Sequence, residues 1–172
     1  SYAGVTSTFF KRDGKFYVRT DGPDGKLADF EIQYTFGVWP LQQYLISFPG
    51  GRLQSTRVSW DSREKKWFHQ YAGQKIDHHD WLHWTGNSQN WNTMCASCHS
   101  TDLQKNYDFK TDSYNTTWNE INVSCESCHG PGSKHNDFIN SPEYKRGVRI
   151  ENSGLQYAKN PKPQIQLNTC GP

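Results

Sequence analysis

The chain has 172 residues, a formal net charge of +2 and 15% aromatic residues, the size of one ordinary domain or two small ones. Balanced charge argues against a nucleic-acid binder, which carries a clustered basic face, and no stretch approaches the roughly 18 apolar residues of a membrane span. Leu, Ile, Val and Phe together supply only 30 residues, about 17% of the chain, so its aliphatic core is thin and a bound group of large apolar area would complete it.

Ser1-Tyr2-Ala3-Gly4 lacks the charged head and apolar run of a secretion signal, so an exported protein is expected to have lost its signal or to carry it outside this segment. From Thr6 to Tyr71 apolar and polar residues alternate between turn signals. Phe9-Phe10 and Phe16-Tyr17-Val18 flank Asp13-Gly14, a hairpin dipeptide, and Gly22-Pro23-Asp24-Gly25 is the next turn. Phe30, Ile32, Tyr34 and Phe36 recur at period two, which predicts one strand face. Tyr44, Ile46 and Phe48 repeat the pattern; Leu53, Val58 and Trp60 form another strand-like run, and Trp67 to Tyr71 a last one. The expectation is five or six antiparallel strands acting as scaffold.

Beyond this point Asn, Ser, Gly, His and Trp replace aliphatic residues. Asn90 is placed to cap a helix running into Cys95–His99. Thr117 with Glu120 fits a capping box for a helix through Ile121 toward Cys128, and Asn160-Pro161-Lys162-Pro163 reads as an extended connection. The fold class expected is α+β: an antiparallel β subdomain over residues 1–75, then a loop-rich, short-helix region over 76–172 that is expected to be truncated at its C-terminus.

Four of the five cysteines fall in two equal patterns, Cys95-Ala96-Ser97-Cys98-His99 and Cys125-Glu126-Ser127-Cys128-His129. This is the attachment signature of c-type haem. Two thiols three residues apart on one helical turn reach the two vinyl groups of a porphyrin, and the histidine that follows binds the iron as proximal ligand. Structural zinc on paired Cys-x-x-Cys knuckles is the competing reading; it does not require a histidine after each pair, and the interval between the pairs exceeds the usual ribbon loop. A thioredoxin-like pair needs one motif and a βαβ context, neither of which is present, while disulfides remain open in an exported chain. The fifth cysteine, Cys170, precedes Gly171-Pro172. It reads either as the first residue of a third attachment motif or as a thiol near a terminus.

Met94 is the single methionine and adjoins Cys95, so it is badly placed to cap the far face of that ring, and bis-histidine haems of lower potential are expected. His135 lies six residues after His129 across Gly130-Pro131-Gly132, a turn that would send it to a different iron. The run Asp77-His78-His79-Asp80-Trp81-Leu82-His83-Trp84 puts His79 and His83 on one face if helical. Asp77 and Asp80 would then accept ring N–H groups, and Trp81 and Trp84 would pack on porphyrin. The distal-ligand candidates are His135, His83 and His78 in that order. His69, in a strand pattern, reads as structural.

These strings together resemble the exported multihaem cytochromes c that often carry tetratricopeptide repeats downstream. The resemblance runs from about Thr6 to His135. It rests on Arg12–Phe16, Tyr34–Leu45, Phe48–Gln54, His83-Trp84-Thr85-Gly86, Asn90-Trp91-Asn92, Met94–Thr101 and Cys125–Ser133 with His135. It implies export, covalent haem and electron transfer, with His78 and His83 placed where haem ligands stand. Members usually carry another haem motif before the strands as well as the repeats; both are missing here, so the chain is expected to be an interior segment.

The reading is electron transfer by a multihaem c-type cytochrome, more a carrier than an enzyme. At least two haems c are expected, on Cys95/Cys98 with His99 and on Cys125/Cys128 with His129, with a third at Cys170 if that cysteine opens another motif. A multihaem oxidoreductase acting on a small nitrogen or sulfur oxyanion is the first alternative, and a structural-zinc module the second. Expected partners are redox proteins, and self-association that runs haems across an interface; no nucleic acid and no membrane span in this segment are expected. Haem c is matured outside the cytoplasm, which points to the periplasm or the cell exterior.

Overall fold

The structure, a computed structural model, describes residues 1–155, 163, 164 and 167. Cys170 and most of the Asn160–Pro163 run lie outside the described residues. The chain divides into two compact units: Ser1–Ala96 with Lys105–Thr116, and Ser97–Gln104 with Thr117–Pro172.

The first unit is built on a seven-stranded antiparallel sheet. Its strands are β1 (Thr8–Arg12), β2 (Lys15–Asp21), β3 (Leu27–Phe36), β4 (Leu41–Phe48), β5 (Arg52–Ser55), β6 (Val58–Asp61) and β7 (Lys66–His69). The order is β1-β2-β3-β4-β6-β7, with β5 also paired to β4. Asp13 and Gly14, at φ 50° and 79°, make the two-residue turn between β1 and β2, the twist-matched hairpin geometry that a glycine at the second position favours. β1 and β2 then pair in register from Arg12↔Lys15 to Thr8↔Arg19. Leu53, Val58 and Trp60 do not form one strand: Ser55 and Val58 fall on separate strands, and β5 and β6 each pair with β4.

Two face assignments change. The register of β3 against β4 shifts between Ile32 and Tyr34; this bulge breaks the period-two face, and Tyr34 is exposed while Phe36 is buried. On β4 the three consecutive residues Tyr44, Leu45 and Ile46 are all buried, because this central strand is covered on both faces. Val18, Ile46 and Trp84 form a core cluster, against which Phe9, Phe30, Ile32 and Phe48 pack. Trp84 stands edge-on to Phe30 and Phe48. It is therefore a core residue of the sheet unit and not the porphyrin-stacking side chain expected of it.

Residues 77–86 form successive three-residue turns in place of an α-helix, and a single 3-10 turn follows at Asn87–Gln89: the amides of Asp80, His83, Gly86 and Gln89 donate to the carbonyls of Asp77, Asp80, His83 and Gly86. Asp77 and Asp80 spend a carboxylate oxygen each on the backbone N–H two residues on, at His79 and Leu82. That local hydrogen bonding competes with helix formation. It overturns the shared His79/His83 face. Two short helices follow, α1 (Trp91–Met94) and α2 (Ala96–His99). Between them the backbone breaks at Cys95, at φ −125° and ψ −38°. Asn90 occupies the N-cap position of α1 without a side-chain cap bond. A small hairpin, β8 (Tyr107–Asp108) with β9 (Ser113–Tyr114), is held to the sheet unit by the Arg52–Asp112 ion pair at 2.7 Å.

In the second unit residues 101–104 and 117–120 lie antiparallel. Thr101 and Gln104 form backbone bridges with Glu120 and Thr117. These bridges commit the Thr117 and Glu120 backbones, so the helix expected to start at Thr117 does not form. The helix toward Cys128 begins only at Cys125. It is α3 (Cys125–His129), followed by α4 (Ser133–Asn140) and α5 (Pro142–Lys145). Gly130, at φ 72°, ends α3 and redirects the chain into α4. The described elements, an antiparallel sheet with short helices, make the α+β class expected from the sequence.

Candidate haem-binding site

The first attachment motif grows out of the sheet unit. Asn92 on α1 is fully buried. Its Oδ1 accepts from the Leu53 amide at 2.8 Å, and its Nδ2 donates to Gly51 O and Thr116 Oγ1. Beside it Gln54 donates through Nε2 to the carbonyls of Trp84 and Gly86, at 3.0 and 2.9 Å. These bonds fix the peptide that delivers Cys95. Neither amide side chain was singled out as functional in the sequence, because only their partners on β5 and in the turns give them meaning. Cys98 and His99 are exposed, Cys95 half-buried and Met94 exposed.

The second motif is α3 itself, a single helical turn with Ser124 at its N-cap. Cys125 and Cys128 are exposed thiols at i and i+3, one face of the turn, and His129 follows them, also exposed. The donor set fits covalent haem: two accessible thiols one turn apart with an imidazole immediately after. Among the described residues no group of three or more His, Cys, Asp or Glu is gathered to hold a metal ion.

A hydroxyl that the sequence did not flag organises this unit. Thr101, two residues after His99, is 3% exposed. Its Oγ1 accepts from the Ser124 N–H at 2.8 Å and donates to Asn122 O at 2.8 Å, and it lies 2.7 Å from Ser127 Oγ. One side chain thus ties the segment after the first motif to the N-terminus of the helix that carries the second.

The distal candidates differ sharply in what surrounds them. His83 is fully buried in the sheet unit. Its Nε2 lies 2.9 Å from Asp21 Oδ2, and its Nδ1 faces Thr85 Oγ1 at 2.8 Å and the Thr85 N–H at 3.4 Å. The Thr85 N–H points at Nδ1, which accepts, and Nε2 faces the Asp21 carboxylate, so in this structure both ring nitrogens have protein partners. The sequence placed His83 by local spacing and could not show Asp21, 62 residues away. Burial alone would raise Asp21, but hydrogen bonds from His83 and Thr20 more than offset it and hold the carboxyl below its usual range.

His135, on α4, is half-buried, and its Nδ1 lies 2.7 Å from Ser153 O. Donation to a backbone carbonyl through Nδ1 fixes the tautomer and presents Nε2, the arrangement in which ligand histidines are commonly held. His78 packs over Gly25, where a Cβ would come within 2.7 Å of His78 Nδ1, and its ring lies 3.9 Å from that of His79. His69, on β7, stacks on Tyr2 at 3.4 Å. Burial, then the charge of Arg57, lowers its pKa to about 4.

Comparison with known proteins adds to this geometry. Residues 54–130 match the family described as cytochrome c554 and c-prime. The match takes in both attachment motifs together with the turns and short helices that deliver them. No curated protein sequence matches the chain. Among solved structures, the outer cell wall cytochrome OcwA aligns with a TM-score of 0.46 and 23% identity over 81% of this chain. The chain spans 25% of that structure's length. Among the chain's described residues no helix is long and apolar enough to cross a membrane.

Proposed function

We propose that this chain is an exported multihaem electron carrier with two covalent haems. One joins Cys95 and Cys98 with His99 as proximal ligand, the other Cys125 and Cys128 with His129. Haem, when attached, supplies a reversible one-electron couple. The protein's own cysteine and histidine side chains would attach and orient it. His135 is the first choice for a distal ligand, with His78 second, and His83 is assigned instead to the Asp21 hydrogen bond.

The observation that carries this reading is the second unit. It presents two exposed thiols one helical turn apart, followed by an imidazole, yet its buried described residues are only Ser100 and Thr101. A unit with no buried apolar side chain among its described residues suits a large apolar cofactor. The short tie between the two motif segments through Thr101 supports haems that work as neighbours. Covalent attachment outside the cytoplasm supports a periplasmic or extracellular location.

Intact mass of the denatured native protein tests the cofactor: an excess equal to two or more haems is expected, and no excess ends the reading. The ligand assignment is checked spectrally on variants of the same protein. His135→Ala is expected to leave the mass excess unchanged and turn one haem high-spin. His83→Gln is expected to lower stability while the haems stay low-spin. A low-spin His135→Ala with a high-spin His83→Gln would reverse the assignment. A spectrum that shifts on adding nitrite would favour the oxidoreductase reading instead.

A further inference from the structure

Within the sheet unit lies a charge that the haem chemistry does not use. Arg57, in the link between β5 and β6, is only 5% exposed. Its Nε and Nη1 are shut off from solvent and have no hydrogen-bond partner. Its guanidinium carbon sits 5.8 Å from the Tyr71 ring centroid, and no carboxylate among the described residues pairs with it. A buried guanidinium without partners is costly.

The same side chain lines a cavity of about 150 Å³ with Tyr2, Thr20, Asp21, His69 and His78. Exposed Lys75 and Asp77 also line it, so solutes have access. At roughly 30 Å³ per water the space equals about five waters. Asp21 is the inner carboxylate of this cavity, and its oxygens are spent elsewhere: Oδ2 on His83 at 2.9 Å and Oδ1 on Thr20 at 3.0 Å. Nε and Nη1 therefore have protons to donate and no acceptor among the described residues to take them, a setting in which charge-assisted hydrogen bonds to a planar anion are at their strongest.

We propose that the Arg57 cavity is a binding site for one small planar anion, a carboxylate or an oxyanion of similar size. The anion is bound, not transformed, so no bond is made or broken. That chemistry has two sources, a free solute or a propionate of one of the protein's haems. Dialysed holoprotein is titrated calorimetrically with sodium formate at constant ionic strength. Saturation at one site per chain, weakened at least tenfold by Arg57→Gln and partly by Arg57→Lys, supports a free-anion site.

If formate gives only heats of dilution while Arg57→Lys alters the pH dependence of one haem's midpoint potential in anion-free buffer, the acceptor is a propionate. Heats of dilution together with an unaltered potential overturn the proposal, because water then fills the cavity. Should Arg57→Gln fail to accumulate, nitrate displacement of formate from the wild-type protein takes its place: displacement supports the site, and formate heats that nitrate leaves unchanged overturn it. None of these outcomes depends on which histidine closes which iron.

Discussion

His83 and His69 show how far a side chain's role depends on partners that lie distant in sequence. Both are ordinary histidines in the sequence, and proximity to haem motifs made His83 a ligand candidate. The fold pairs it with Asp21 and Thr85 and so makes it part of the core beside Trp84. His69 was legible as structural from its strand pattern, yet its stacking on Tyr2 and its proximity to Arg57 were not. These give it a testable signature. Its folded pKa, about 4, lies below the unfolded value near 6.5. As pH falls below 6.5 the unfolded chain takes up a proton that the folded chain refuses, so stability drops through pH 6.5 to 4 and levels off below. The denaturation midpoint of wild type should fall more between pH 7 and pH 4.5 than that of His69→Gln. Equal falls would mean that His69 does not carry this proton.

At the scale of elements, the sheet was legible because alternation and turn dipeptides are local signals: Asp13-Gly14 sits at the tip of β1–β2 and Gly22–Gly25 between β2 and β3. The bulge in β3 was not, since nothing in Ile32-Gln33-Tyr34 announces a register shift that arises from pairing with β4. Capping patterns misled for the same reason. Thr117 and Glu120 have the spacing of a capping box, but long-range bridges to Gln104 and Thr101 claim their backbones. Those bridges place Thr101 where its hydroxyl holds the N-terminus of α3. Thr101→Val keeps the shape and removes the hydroxyl, leaving the half-buried amide of Ser124 without its acceptor. The loss should be about 1–3 kcal/mol, read as a lower thermal midpoint with a smaller fraction of chains carrying the full haem mass. Thr101→Ser should restore most of both. A Thr101→Val protein as stable and as fully loaded as wild type would show that the hydroxyl cluster does not hold the attachment helix.

Across the whole chain the apolar core is unevenly distributed. Every fully buried hydrophobic residue described, from Val18 to Ala96, belongs to the sheet unit. The second unit holds α3, α4 and α5, short helices below the length at which isolated helices persist in water, and among its described residues only Ser100 and Thr101 are buried. A sheet unit with its own aromatic and aliphatic core has the means to fold by hydrophobic burial; the described residues of the second unit supply no such core, and an attached apolar group would. The two units should therefore respond differently to loss of haem. In a chain with Cys95, Cys98, Cys125 and Cys128 all changed to Ser, amides of β2, β3 and β4 should keep slow hydrogen exchange, while those of α4 should exchange as fast as in a denatured chain. In the haem-loaded protein both sets should be protected. Protected α4 amides in the cysteine-free chain would mean that side-chain packing and the Thr101 hydrogen bonds suffice to order the second unit, and that haem fills a preformed structure instead of completing one.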